Sequence, residues 1–130
     1  MAKVDIVAIS RLPPAQRRIQ MAQLFSALAA ESDVEQISVL RALIEMMAEK
    51  ATHEEYLNLC FTDFDWLVDR SDSEVRHFLH LRTEAAAGLP EKWHKRDTAL
   101  MHEALDQLDK PNQEKILKNL PPDLPLSSVD

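Results

Sequence analysis

A chain of 130 residues with a single glycine has almost no way to turn a β-hairpin. Tight hairpins need positive φ at their central residues, which glycine adopts freely and other residues adopt at a cost. The rest of the sequence is dense in Ala, Leu, Glu, Gln, Lys and Met, which lose little on entering a helix. An all-α fold follows. The same scarcity excludes the glycine-rich phosphate loops that mark the common nucleotide-binding fingerprints.

Three capping boxes then set helix starts. Ser32 with Glu35, Thr52 with Glu55 and Ser71 with Glu74 each have the S/T-x-x-E spacing, in which two side chains satisfy each other's free backbone amides. Pro13 and Pro14 open an earlier helix over 15–30, because proline is tolerated where the amide would be unpaired anyway. Pro111 opens a short last one that is anchored by Ile116, Leu117 and Leu120. The helix over 72–87 ends at the lone glycine, Gly88, placed where a left-handed C-terminal cap would need it, with Pro90 just beyond. The following helix runs from about 91 to 108. Between Thr52 and Ser71 the pattern allows one bent helix or two, with Thr62 as a second start.

Stepped at ~100° per residue, the stretch 34–50 is apolar over more than half its circumference. Val34, Ile37, Val39, Leu40, Leu43, Ile44, Met46, Met47 and Ala48 leave a narrow polar strip of Glu35, Ser38, Arg41, Glu45 and Glu49. Arg41 and Glu45 are spaced to pair along that strip. A helix apolar nearly all round is a buried one, so this stretch is expected at the centre. The fold expected is thus all-α, a single compact bundle of five or six helices over 1–120 with the 34–50 helix central. Residues 1–12, with loosely alternating Val4, Ile6, Val7 and Ile9, read as an extended arm. Residues 121–130, rich in proline, read as an extended or disordered tail.

Cys60 is the only cysteine, so no internal disulfide and no cysteine-based zinc site can form. Between Leu59 and Phe61 it reads as a buried structural thiol. The first residues form too short an apolar run for a signal peptide, and nothing approaches the ~20 residues of a membrane span. A cytoplasmic chain with no membrane contact is expected.

Net charge is −7, and it is unevenly spread. Lys3, Arg11, Arg17 and Arg18 stand against Asp5 alone in the first twenty residues, whereas twelve carboxylates face four basic residues between Glu31 and Arg76. That asymmetry favours steering toward a basic protein surface, or head-to-tail self-association, over nucleic acid. The excess apolar surface of 34–50, with Met46 and Met47, suits a homodimer in which a second copy completes its burial.

Four constellations bear on function. Glu74 and His77 give one E-x-x-H, half of the pair a di-iron bundle needs, and His77, His80 and Glu84 share a polar face. These are weak metal candidates, and no metal or other cofactor is expected. The carboxylates Asp63, Asp65, Asp69 and Asp72 have no histidine or nucleophile at a catalytic spacing, so no catalytic residue is assigned. The break at 69–71 imitates a helix-turn-helix, the alternative reading, but the helix after it opens with Asp72, Ser73 and Glu74, which would repel phosphates. The sequence FTDFDWLVD reads as an aromatic-acidic docking patch, with Phe64, Trp66, Asp63, Asp65 and Asp69 as its residues. Arg82 projects into the apolar face of its helix and needs a carboxylate, for which Asp97 is a candidate. The function expected is that of a non-catalytic protein-interaction or regulatory module working through an acidic helical surface.

Overall fold

The computed structural model describes residues 4–121. Among them the chain forms seven helices: α1 (Ile6–Ser10), α2 (Pro14–Ala29), α3 (Asp33–Lys50), α4 (His53–Leu67), α5 (Asp72–Ala87), α6 (Glu91–Asp106) and α7 (Lys110–Leu117). No strand occurs among the described residues, and no helix there is long and apolar enough to cross a membrane. The proline-rich tail expected over 121–130 lies, apart from its first residue, outside the described residues.

The count of seven exceeds the five or six expected because the N-terminal arm is not extended over 6–10. Asp5 accepts a hydrogen bond from the Ala8 amide at 3.1 Å and starts a short helix, α1. Its β-branched residues favour strand locally, but Ile6 and Val7 are buried between α3 and α4, and that burial overrides local propensity.

The helices arrange in two rows. α4 packs against α2 on one side and α6 on the other, while α3 packs mainly on α5. α1 and α6 touch both α3 and α4 and join the rows. α4 is one continuous helix through Thr62. That residue's hydroxyl donates to the Asn58 carbonyl at 2.8 Å, one turn back, and accepts from Arg17 Nε at 2.7 Å. Continuity aligns Tyr56, Leu59, Cys60, Phe64 and Leu67 on a single buried stripe.

α3 is less enclosed than its composition implies. Leu40, Leu43, Ile44, Met47 and Ala48 are buried, but Ile37, Val39 and Met46 are half-covered and Val34 is 78% exposed. In its first turn Asp33 is bonded to His77 of α5, while Val34 stands on the solvent side. The centre of the bundle is shared with α4.

The capping boxes at Thr52/Glu55 and Ser71/Glu74 close in both directions. At α3 the box is one-sided: Ser32 accepts from the Glu35 amide at 3.2 Å without the return bond. Gly88 is not a left-handed cap. Its φ is −86° and ψ 0°, and no described residue has positive φ.

Helix C-termini are instead closed by basic side chains from other helices, which satisfy carbonyls that end without an intrahelical partner. Arg41 of α3 donates to Ala85 O (2.9 Å) and Glu84 O (3.0 Å) at the end of α5, rather than pairing with Glu45. Arg96 of α6 donates to Ala48 O and Ala51 O at the end of α3. Lys115 of α7 donates to Val68 O and Arg70 O after α4, and Arg17 of α2 donates to Leu12 O after α1. Several cations of this acidic chain are therefore committed to the backbone.

Candidate functional site

Arg82, Asp97 and Tyr56 form the polar centre of the core. Arg82 Nη1 and Nη2 donate to the two Asp97 carboxyl oxygens, each at 2.7 Å, and the Tyr56 hydroxyl donates to Asp97 Oδ1 at 2.5 Å. Burial works against both charges, but the fork geometry outweighs it. Asp97 is held below the usual carboxylate range and Arg82 stays firmly protonated. Burial first, and the Asp97 charge second, push the Tyr56 hydroxyl well above its ordinary value. With every partner matched, the triad braces α4, α5 and α6 and leaves no reactive atom free.

Asp63, one turn past Cys60 on α4, is different. Its Oδ1 is fully enclosed and has no hydrogen-bond partner among the described residues. It borders a cavity of ≈ 30 Å³ walled by side chains such as Met21, Leu24, Phe25, Phe78 and Met47, with Arg82 beside it. Burial pushes the Asp63 carboxyl up to about 8, with Arg82 opposing the rise and Asp97 adding to it. Burial likewise raises the Cys60 thiol well above its ordinary range, so this cysteine is not poised as a nucleophile.

Outside this cavity lies a groove of ≈ 250 Å³ between the C-terminal end of α2, the start of α3 and the α4–α5 pair. Its floor is aromatic. Phe25 and Trp66 stand 4.6 Å apart between ring centroids, Phe25 and Phe78 5.0 Å apart in an edge-on arrangement, and Trp66 and Phe78 6.1 Å apart. Its rim carries the carboxylates of Glu31, Asp33 and Glu74, with His77 the single base. Asp33 receives His77 Nε2 at 3.0 Å, and Glu74 spends one oxygen on the Ser71 cap.

The docking residues expected from FTDFDWLVD separate in space. Trp66 lines the groove, half-buried, with the Arg70 guanidinium 5.2 Å from its ring centroid. Phe64 is only 2% exposed and belongs to the core stripe of α4, so it is removed from any docking surface. Asp65 and Asp69 are exposed but share Arg18, at 3.1 and 2.9 Å. Together with Arg11 on Glu55 at 2.8 Å, this returns part of the basic N-terminal segment to the acidic middle of the same chain. Asp63 faces inward.

The metal candidates are likewise dispersed. His77 is engaged by Asp33 and Glu74 by its cap, and His80 and Glu84 are exposed on the same helix. Among the described residues no group of three or more His, Cys, Asp or Glu is arranged to hold a metal ion.

Phe25, Phe78, Glu31 and Asp33 also line the groove, and the sequence singles out none of them as a site residue. No local signal distinguishes them, because the groove exists only where four helices meet. In comparisons with known proteins, no family model, no curated protein and no solved structure matches this chain.

Proposed function

We propose that this protein is a non-catalytic interaction module that holds a basic segment of a partner protein in the groove over Phe25, Trp66 and Phe78. The observation that carries this reading is the pairing of an aromatic floor with a carboxylate rim in a space of ≈ 250 Å³. Aromatic faces attract cations and supply most of the contact energy at interfaces, while rim carboxylates steer a basic partner and set its register. The net charge of −7 acts in the same direction at longer range. A nucleic-acid partner suits the site poorly, because the exposed face of α5 beside the groove carries Asp72, Glu74 and Glu84 against Arg76.

Trp66 reports directly on the groove once Trp93 is changed to Phe. Titration with octalysine or octaarginine at low salt is expected to shift Trp66 emission saturably. The response should weaken with added salt and disappear in the Glu31→Lys, Asp33→Lys double variant. An unchanged emission with both peptides, at every salt concentration, overturns the reading.

A further inference from the structure

We propose that the groove is the mouth of a lysine socket, in which one lysine of the bound segment passes its methylenes between Phe25 and Phe78 and ends its ammonium on the Asp63 carboxyl. The inference rests on the groove being the docking site and adds what anchors the partner there.

Phe25 and Phe78 are the two residues that line both the outer groove and the inner cavity, so the pair forms the partition between them. They meet edge to face, with centroids 5.0 Å apart. Phe25 is buried and Phe78 half-buried, so Phe78 is the ring that borders solvent and would swing outward to open the partition. Behind the partition the walls are side chains such as Met21 and Leu24, a match for the methylenes of a lysine stem, and methionine adapts readily to a new neighbour.

At the end of this path stands the enclosed Asp63 Oδ1 without a hydrogen-bond donor. A buried carboxyl oxygen left unmatched carries a free-energy cost, which an incoming donor removes. Size selects which donor. The cavity of ≈ 30 Å³ takes a head the size of a water molecule, which an ammonium is. The planar guanidinium of arginine is too wide.

Charge permits the pairing. The groups facing Asp63 are Arg82 from α5, Asp97 from α6, and Tyr56 and Cys60 from its own helix. Arg82 is already neutralised by the two-bond fork to Asp97, and Tyr56 and Cys60 are uncharged at neutral pH. Asp63 is the acid still without a partner. Held up to about 8 by burial, it carries its proton at pH 7. When the ammonium arrives, the carboxyl O–H bond breaks, the proton leaves to solvent, and the carboxylate stays as the counter-ion. Each lysine seated releases one proton.

Calorimetry on the full chain at pH 7, in two buffers of different ionisation heat, tests this with octalysine and octaarginine. Octalysine is expected to bind at least tenfold more tightly, with close to one proton released per peptide bound, and octaarginine to release none. Asp63→Asn should remove both the preference and the proton release while leaving salt-sensitive binding of either peptide. Its melting curve shows whether it is folded, and the proton count on the unaltered protein stands independently of any variant. Equal affinities with no proton released overturn the socket and leave the groove in place. Binding of neither peptide to the unaltered protein removes both.

Discussion

Arg41 and Gly88 occupy adjoining space at the end of α5, and each accounts for the other. A Cβ built on Gly88 would run into the Arg41 guanidinium, which is held there by the Ala85 and Glu84 carbonyls. The lone glycine is present to admit a side chain from α3, with its backbone in a region any residue can adopt. At such a φ, Gly→Ala ordinarily stabilises a protein by about 0.4–1 kcal/mol. Here Gly88→Ala must displace the flexible end of Arg41 and break its bonds to the Ala85 and Glu84 carbonyls. The gain is expected to be lost and replaced by a destabilisation of up to about 1.5–3 kcal/mol, what a hydrogen bond to a charged group is worth. Most of that loss should vanish when Arg41 is also changed to Ala. Urea unfolding of the four proteins in the cycle measures the coupling, and additive effects would show that the contact is not the cause.

The Arg82–Asp97 fork predicts an unequal response to single and double changes. Asp97→Ala leaves a buried guanidinium uncompensated and is expected to cost about 3–5 kcal/mol. The Arg82→Met, Asp97→Leu pair removes both charges and should cost less than either single change. Tyr56→Phe loses one bond to a charged acceptor, about 1.5–3 kcal/mol. Denaturant midpoints at constant slope would establish the order.

Asp63 makes stability depend on pH in a direction opposite to most carboxylates. Burial raises it in the folded chain to about 8, from an ordinary 3.8. Between those values the folded chain keeps a proton that the unfolded chain releases, so stability falls as pH rises through this window. Below about 4 both states are protonated and nothing is lost; above about 8 the cost of the buried charge is complete. Asp63→Asn removes this dependence. Its melting temperature should lie near that of the parent at pH 4 and exceed it by about 4 °C or more at pH 9, the equivalent of about 1 kcal/mol in a small domain. A difference that stays constant from pH 4 to 9 would show that the carboxyl is not desolvated.

Cys60 is 2% exposed, and burial disfavours its thiolate. Alkylation by a thiol reagent at pH 8 is therefore expected to be about 10³-fold slower or more in the folded chain than in denaturant, the lower end of folding equilibria for such domains. Fast labelling under native conditions would mean that α4 opens locally around its own centre.

Local pattern made much of this protein legible. The Thr52 and Ser71 caps close in both directions because all the atoms they need lie within four residues. Thr62 was ambiguous in the sequence, since a hydroxyl can start a helix or bond backward within one, and Arg17 from forty-five residues away holds it in the second role. α1 was hidden by its β-branched residues. The excess apolar surface of α3 points to a helix enclosed all round, whereas Val34 stands in solvent although its neighbour Asp33 is bonded to His77 of α5.

What the sequence by itself determined is the all-helical class, most helix starts and the residues that turn inward, since glycine content, caps and apolar spacing act over a turn or two of chain. Only the tertiary structure decided that Asp97 forks onto Arg82, that Asp63 is left without a partner, and that Phe25, Trp66 and Phe78 meet beneath a rim of Glu31, Asp33 and Glu74. Those contacts join residues on different helices, the nearest of them, Trp66 and Phe78, still three helical turns apart in the chain. Their energies depend on how the rows pack, and a window of one or two helical turns does not contain both partners. The sequence can therefore offer Asp97 as a candidate for Arg82 but not choose it.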